Sequence, residues 1–434
     1  MSSKINVTLL FLPPLIMLMY TLVTLTVNVP YLEDTRVILG HVTDHTNSGI
    51  SRYFDFNNEH WLVTTRIVAE LCYLIFKCIN FKILCVLGSL FLIAWVFILS
   101  GNIFKTIFKM LIASAFAYMS FSFLNFENLC WATASLSNYQ VLFWGLCANV
   151  LIEKTHSIFS FVFALLSAFL ATVSNSGGLA IWPCLILQFV YLKLINRNQT
   201  TISFISKLFA LSVAAATTIT IYLSLAPKHE IEINFTILPK MILAGVTFCG
   251  GYIPFPALSV TIGILTVIGI ILILIQWNRI KSSYILFHLI YLLGIAFGAS
   301  LNRTNDIIGS FHSRYAIFAI GITFCTLFLI LETCNTKIKA GLLYSISTII
   351  LTLAIGLSMT TLYIGVPQYR TRNEIMRKNI LLWPESTVGI RCWNHEYTEY
   401  DTILHMCLKK NVYNPVSNLY HGEQRPHKIT PWLK

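Results

Sequence analysis

The sequence predicts an all-α, polytopic membrane protein, and three observations carry that expectation. The 434-residue chain is 56% hydrophobic and only 11% charged, whereas soluble domains carry roughly 25% charged residues. Its mean hydropathy is +0.72. Apolar runs of about 20 residues, the length that crosses a hydrocarbon core, recur along it. The net charge of +12 does not point to nucleic acid. Much of the Lys and Arg excess sits in short connections between apolar runs, where it sets orientation.

The first apolar run follows Lys4 and carries no small-x-small cleavage site, so it reads as an uncleaved span over 9–28 rather than a signal peptide. Further spans are expected over 83–100, 106–123, 139–153, 157–173, 178–195, 205–225, 257–276, 284–300, 315–332 and 340–364, about eleven in all. Short basic connections hold Lys4, Lys105, Lys109, Lys154, Lys193, Arg197, Lys207, Arg279, Lys281, Lys337 and Lys339. The positive-inside rule places these in the cytoplasm. Loops 29–82, 124–138, 226–256 and 301–314 and the tail from 365 hold most of the acids, aromatics and prolines, and are expected outside. An odd number of spans then puts the N-terminus in and the C-terminus out. Between Thr64 and Lys82, Ile67, Leu71, Leu74, Ile75 and Cys78 recur at helical spacing, interrupted by Arg66, Glu70 and Lys77. That pattern fits an amphipathic helix lying in the outer interface.

Two domains follow from this organisation: a transmembrane domain over 1–364 and an extracytoplasmic cap over 365–434, rich in Trp, Tyr and His. Nine of the eleven cysteines lie in or near the spans as apolar fillers. Cys392 and Cys407 lie in the tail, where an oxidising compartment permits a disulfide.

With only 18 acidic residues in the chain, each polar cluster can be weighed. Phe54-Asp55-Phe56-Asn57-Asn58-Glu59-His60-Trp61 packs acids, amides and an imidazole into the first outer loop. Asp55 and Glu59 are four apart and would share a face if helical. A carboxylate here suits proton abstraction from a hydroxyl; a solvated loop with an aromatic belt is the plainer alternative. Glu127 is a lone acid in an apolar outward stretch. It faces either a cavity or the N-terminus of the next helix. Arg303 and Arg314, with Arg66 and Lys240, stand on the side that basic residues should avoid. Their role is either to bind phosphate, which suits the planar guanidinium, or to pair with Asp306, Asp55 or Glu59. Gly177-Gly178 in the Ser174–Pro183 connection allows a tight turn or a close ligand. No P-loop and no GxGxxG after a strand occurs. A nucleotide donor is therefore not expected, and a lipid-linked donor at the outer face is.

Taken in order, Asn58-Glu59-His60 with Arg66, then Phe126-Glu127-Asn128-Leu129-Cys130-Trp131, then Ser174–Pro183 and Ser313-Arg314-Tyr315 resemble bacterial GT-C-type glycosyltransferases. They are similar, more distantly, to the phage- or prophage-encoded serotype-converting O-antigen glucosyltransferases. The resemblance covers roughly residues 1–330. It implies an inner-membrane enzyme that moves a sugar, glucose by expectation, from a polyprenyl-phosphate donor to a surface glycan such as O-antigen in lipopolysaccharide. It implies a first-loop carboxylate as catalytic residue, Glu59 with Asp55 as rival, and Arg66, Arg303 and Arg314 as ligands of the donor phosphate. His60, Glu127, Asn128 and Tyr315 would bind substrate. The expected partners are the polyprenyl-phosphate sugar, the glycan acceptor and membrane lipid. No cofactor is expected, with a divalent cation left open, because the first loop lacks an Asp-Asp or Glu-x-Asp pair. The chain departs from the family at one place: an arginine directly follows the Asn-Glu-His triplet in related chains, and Trp61 stands there in this one. A flippase or transporter of a lipid-linked saccharide is the alternative function. It should thread charge through its spans, and 257–276 and 340–364 carry none.

Overall fold

The computed structural model describes residues 2–44, 49–101, 106–154, 157–195, 201–227, 238–253, 255–301, 313–334, 340–382 and 397–413. Its helices are α1 (Ser2–Tyr20), α2 (His41–Thr43), α3 (Val63–Phe76), α4 (Phe81–Gly101), α5 (Ile107–Ser120), α6 (Phe126–Cys130), α7 (Ala132–Ile152) and α8 (Ile158–Ser174). They continue with α9 (Ile181–Ile195), α10 (Thr201–Leu225), α11 (Leu238–Cys249), α12 (Pro256–Ile275), α13 (Ser283–Leu301), α14 (Ser313–Cys334), α15 (Ala340–Leu382) and α16 (Tyr397–Lys409). Two short strands, β1 (Phe56–Asn57) and β2 (His60–Trp61), form a hairpin. The chain is an all-α, multi-span membrane protein.

Among the described residues, eight helices are long and apolar enough to cross a membrane. They coincide with the expected spans at 83–100, 106–123, 178–195, 205–225, 257–276, 284–300, 315–332 and 340–364. The other three expectations are met by helices of a different kind. The first apolar run and Ile158–Ser174 form shorter apolar helices. The expected span at 139–153 is part of α7, which is long enough but less apolar, because Thr133, Ser135, Ser137, Asn138, Gln140 and Asn149 are buried along it. The bundle, not lipid, surrounds those side chains.

Helix α7 packs against α4 and α8, and α13 and α14 pack against it and each other. Trp95, Trp182, Tyr139 and Tyr291 are fully buried in this centre. Helices α10, α12 and α15 expose most of their apolar surface, as expected of helices bordering lipid. Contact between α4 and α7 depends on Gly88. A Cβ there would come within 2.2 Å of Ser135 Oγ and 2.8 Å of the Ser135 carbonyl carbon.

The outer-loop reading of 226–256 missed α11. It packs against α12, α13 and α14. At 12 residues it extends about 18 Å, short of the hydrocarbon core, and Lys240 stands in its first turn. Helix α3 has the predicted two-faced character. Val63, Thr64, Thr65, Arg66, Ala69 and Cys72 are buried, while Ile67, Leu71, Leu74, Ile75 and Phe76 are exposed.

Helix α15 continues without a break past residue 365 to Leu382. The tail then returns to the first loop. Lys410 Nζ donates to the Thr43 carbonyl at 2.7 Å, Tyr413 Oη to the Asn28 carbonyl at 2.8 Å, and the Ile79 amide to the Val412 carbonyl at 2.8 Å. Cys407 is buried on α16. Its expected disulfide partner, Cys392, lies outside the described residues.

Candidate functional site

The acid-rich cluster is not helical. Phe56 pairs with Trp61 and Asn57 with His60 in the hairpin, with Asn58 and Glu59 at its tip. Asn58 has φ +52°, a left-handed conformation that asparagine tolerates in turns. Asp55 and Glu59 therefore do not share a helical face, as their spacing had suggested. Asp55 is exposed at the base of the hairpin and Glu59 sits at the tip. Trp61 is 2% exposed and packs edge-on against Phe54 and Tyr222 and tilted against Phe56. The Tyr222 hydroxyl donates to the Glu59 carbonyl, which ties the hairpin to α10.

Arg66 clamps the chain that leads into the hairpin. Its Nη1 donates to the carbonyls of Tyr53 at 2.8 Å and Asp55 at 2.6 Å. Burial depresses its pKa to about 10, with the Asp55 charge acting in the opposite sense and Arg36 adding to the depression. It lines a cleft of about 570 Å³ together with Arg36, Arg52, Asp55 and Glu399.

Glu59 and Arg314 belong to a second place. The His60 Nε2 lies 3.6 Å from Glu59 Oε1, and its Nδ1 meets Ser176 Oγ at 2.6 Å. Ser176 begins the turn that joins α8 to α9. In that turn Gly178 allows a close approach, since a Cβ would fall 2.1 Å from the Ala171 carbonyl oxygen. A ladder of amides continues inward. Asn175 donates to Asn138 at 3.2 Å, Asn138 to Asn128 at 2.9 Å, and Asn128 to the Arg314 carbonyl at 2.8 Å. Glu127 Oε2 accepts from Ser313 Oγ at 2.9 Å and from the Arg314 amide at 3.0 Å, so it caps α14. The Arg314 guanidinium lies over the rings of Trp131 and Tyr315, 5.4 and 5.2 Å from their centroids. Tyr315 also faces Phe248. The hairpin, the Glu127 segment, the Ser174–Pro183 turn and the start of α14 thus meet at one end of the bundle. Arg303 lies outside the described residues.

Two acids missing from the sequence-based site stand here as well: Glu33 and Asp34, adjacent in the first loop. The carboxyl of Asp34 is 1% exposed. Its Oδ1 accepts from the amide and hydroxyl of Thr133 at 2.8 and 2.6 Å, and its Oδ2 from the Tyr31 amide at 3.1 Å. It caps α7 from a distant part of the chain. Burial pushes its pKa to about 7 against the effect of these bonds. Glu33 lies within electrostatic reach of Arg314 and Glu59. Burial raises its pKa, and the Glu59 charge adds to this while Arg314 opposes it. Glu33 Oε2 and Arg314 Nε are both buried without a hydrogen-bond partner. Arg372, from the extension of α15, lies 4.0 Å over the Tyr31 ring and completes the charged surround. The available signal was an acidic pair directly after the first apolar run, hidden because it is neither Asp-Asp nor Glu-x-Asp. Among the described residues, no three His, Cys, Asp or Glu side chains gather to hold a metal ion.

No family model matches this chain, nor does a curated protein or a solved structure.

Proposed function

We propose that the chain is a GT-C-type glycosyltransferase of the bacterial inner membrane. In this reading it moves a sugar, glucose in the first instance, from polyprenyl phosphate to a surface glycan such as O-antigen at the periplasmic face. Its basic connections lie in the cytoplasm, as does the N-terminus, and the C-terminus lies outside. The observation that carries the reading is the unpartnered pair: a carboxylate oxygen of Glu33 and a guanidinium nitrogen of Arg314, both buried near each other. A buried polar atom left unsatisfied costs roughly 1–3 kcal/mol, so a site that keeps two of opposite charge is built to receive a ligand that satisfies both.

An acceptor hydroxyl attacks the anomeric carbon of the donor. A new C–O bond forms, the bond from that carbon to the phosphate oxygen breaks, and polyprenyl phosphate leaves with the electron pair. Arg314 stabilises the charge gained by the leaving phosphate. The hydroxyl proton passes to Glu33, a carboxylate whose proton affinity burial raises. Glu59 is held beside it by His60 and Ser176 and is the alternative base. Glu127 and Asn128 position Arg314 through its backbone.

The test is transfer by the purified full-length protein in proteoliposomes supplied with polyprenyl-phosphate glucose and glycan acceptor. Glu33→Gln and Arg314→Gln should each reduce transfer by about a hundredfold or more, in line with the loss of a positioned acid–base or charge-stabilising group. Full transfer by both variants refutes this assignment. Transbilayer movement of the lipid-linked sugar without any transfer replaces the enzyme with a flippase.

A further inference from the structure

The cleft beside the hairpin is separate from the Glu33–Arg314 centre in its lining yet built from the same segments. The stretch 33–40 places Glu33 at the centre and Arg36 and Gly40 in the cleft. The hairpin places Glu59 at the centre and Asp55 and Phe56 in the cleft. Helix α16 supplies the opposite wall through Glu399, Ile403 and Met406. At about 570 Å³ the cleft falls within the ~300–1,000 Å³ range of small-molecule sites.

Three arginines suggest an anion site at first sight, but each already faces an acid. Arg52 Nη2 is 2.6 Å from Glu70 Oε1. Arg36 Nε is 3.6 Å from Glu399 Oε1, and Arg66 feels the charge of Asp55. His41 adds no charge near neutrality, because burial, with Arg66 and Arg52 nearby, depresses its pKa to about 4. A phosphate entering here would have to displace a carboxylate. What the cleft offers is a dense alternation of N–H donors and carboxylate acceptors beside apolar patches at Phe56, Ile403 and Met406. A sugar hydroxyl both donates and accepts, and the C–H faces of a pyranose suit apolar walls.

We propose that this cleft binds a neutral saccharide segment, the part of the acceptor glycan that precedes the hydroxyl to be modified. The inference rests on the transferase reading for the identity of the glycan as acceptor. The cleft's chemistry, balanced in charge and rich in paired donors and acceptors, selects an uncharged polyol without it. The shared walls bring the end of a glycan seated here toward Glu33 and Glu59.

Saturation-transfer NMR on the full-length protein in nanodiscs tests this, with maltotriose and isomaltotriose as neutral probes and inorganic phosphate as the competing anion. Both trisaccharides should give signals, and phosphate should not displace them. Ile403→Trp, which fills the cleft from α16, should weaken the signals at least fivefold. The double variant Arg36→Ala, Glu399→Ala, at positions about 46% and 44% exposed, should weaken them as well without an effect on folding. Absence of any trisaccharide signal, undiminished signals in both variants, or displacement by phosphate overturns the proposal. Because the readout is binding, saccharide binding by a protein that carries out no transfer counts against the enzyme reading alone. Transfer with signals unchanged by both variants counts against the cleft alone.

Discussion

Removing the Asp34 carboxylate should loosen the first loop from α7 and with it the candidate site, since Glu33 is its neighbour. Asp34→Ala strands the three donors it satisfies, the Thr133 amide and hydroxyl and the Tyr31 amide. At about 1–3 kcal/mol for a buried unsatisfied group, with partial relief by relaxation, the variant should be about 3–5 kcal/mol less stable. Asp34→Asn keeps one oxygen for Thr133 and turns an NH2 toward the Tyr31 amide, so it should lose only about 1–2 kcal/mol at acid pH, where Asp34 is neutral as well. Reversible unfolding in mixed micelles with increasing SDS reads both values. A loss below about 1 kcal/mol for Asp34→Ala refutes the capping argument.

The same pair of proteins tests the electrostatics. Burial raises Asp34 from its usual 3.8 to about 7. The folded protein therefore holds a proton that the unfolded chain has released. That stability is fully present below about pH 4 and is lost as pH rises through about 7, by up to ~4 kcal/mol at ~1.36 kcal/mol per tenfold change in acidity. His41 acts in the opposite direction. Its pKa falls from 6.5 to about 4, so its contribution is present above pH 6.5 and is lost as pH falls through about 4, by up to ~3 kcal/mol. The two nearly cancel in the wild type, which should show a shallow profile. The difference between wild type and Asp34→Asn removes the His41 contribution. It should shift against the wild type by up to ~4 kcal/mol between pH 4 and 7. A pH-independent difference sinks the assignment of a buried, proton-holding Asp34. Complete loss of transfer in a stable Asp34→Asn protein makes Asp34, not Glu33, the base.

Gly88→Ala should destabilise the α4–α7 contact by at least ~1–3 kcal/mol, because the nearest obstacles include backbone. Gly356→Ala, with open space around it, should leave the thermal midpoint unchanged or slightly higher. Arg66→Met should release the carbonyls of Tyr53 and Asp55 and lower hydrogen-exchange protection across 53–61 by about 1.5–3 kcal/mol, and unchanged protection would count against the clamp. Trp61→Arg, which introduces the residue expected there from the sequence resemblance, should lower stability by about 3 kcal/mol or more, since a charge would sit where the indole is 2% exposed. A stable Trp61→Arg protein with faster transfer would reverse that view.

The membrane architecture was legible because length and apolarity are local properties, and among the described residues eight helices satisfy both. Helix α7 was legible only in part, because several of its polar side chains bond to neighbours that no window along the chain reveals. Asn138, for example, bonds to Asn128 and Asn175. The hairpin is not legible in the sequence for a related reason. Spacing alone cannot separate a four-residue helical turn from a two-residue loop, and the deciding groups are Tyr222 and Arg66, which bond to its carbonyls from α10 and α3. Glu127 could be read either as a cavity group or as a helix-terminal charge. It stands in the first turn of the short helix α6, and its carboxylate caps α14 as well.

Trp61 shows why the site could not be assembled from neighbouring letters. In the register Phe56 to Trp61 the side chain at position 61 points into an aromatic cluster with Phe54, Phe56 and Tyr222. A cation there would be stripped of water without a carboxylate beside it, whereas an indole gains from the contact. Arg314, in the first turn of α14, instead brings a positive charge within electrostatic reach of Glu33, which the Glu59 charge also reaches. Its backbone is fixed by Glu127 and Asn128, and its guanidinium rests between two aromatic rings. That placement leaves Nε unpartnered.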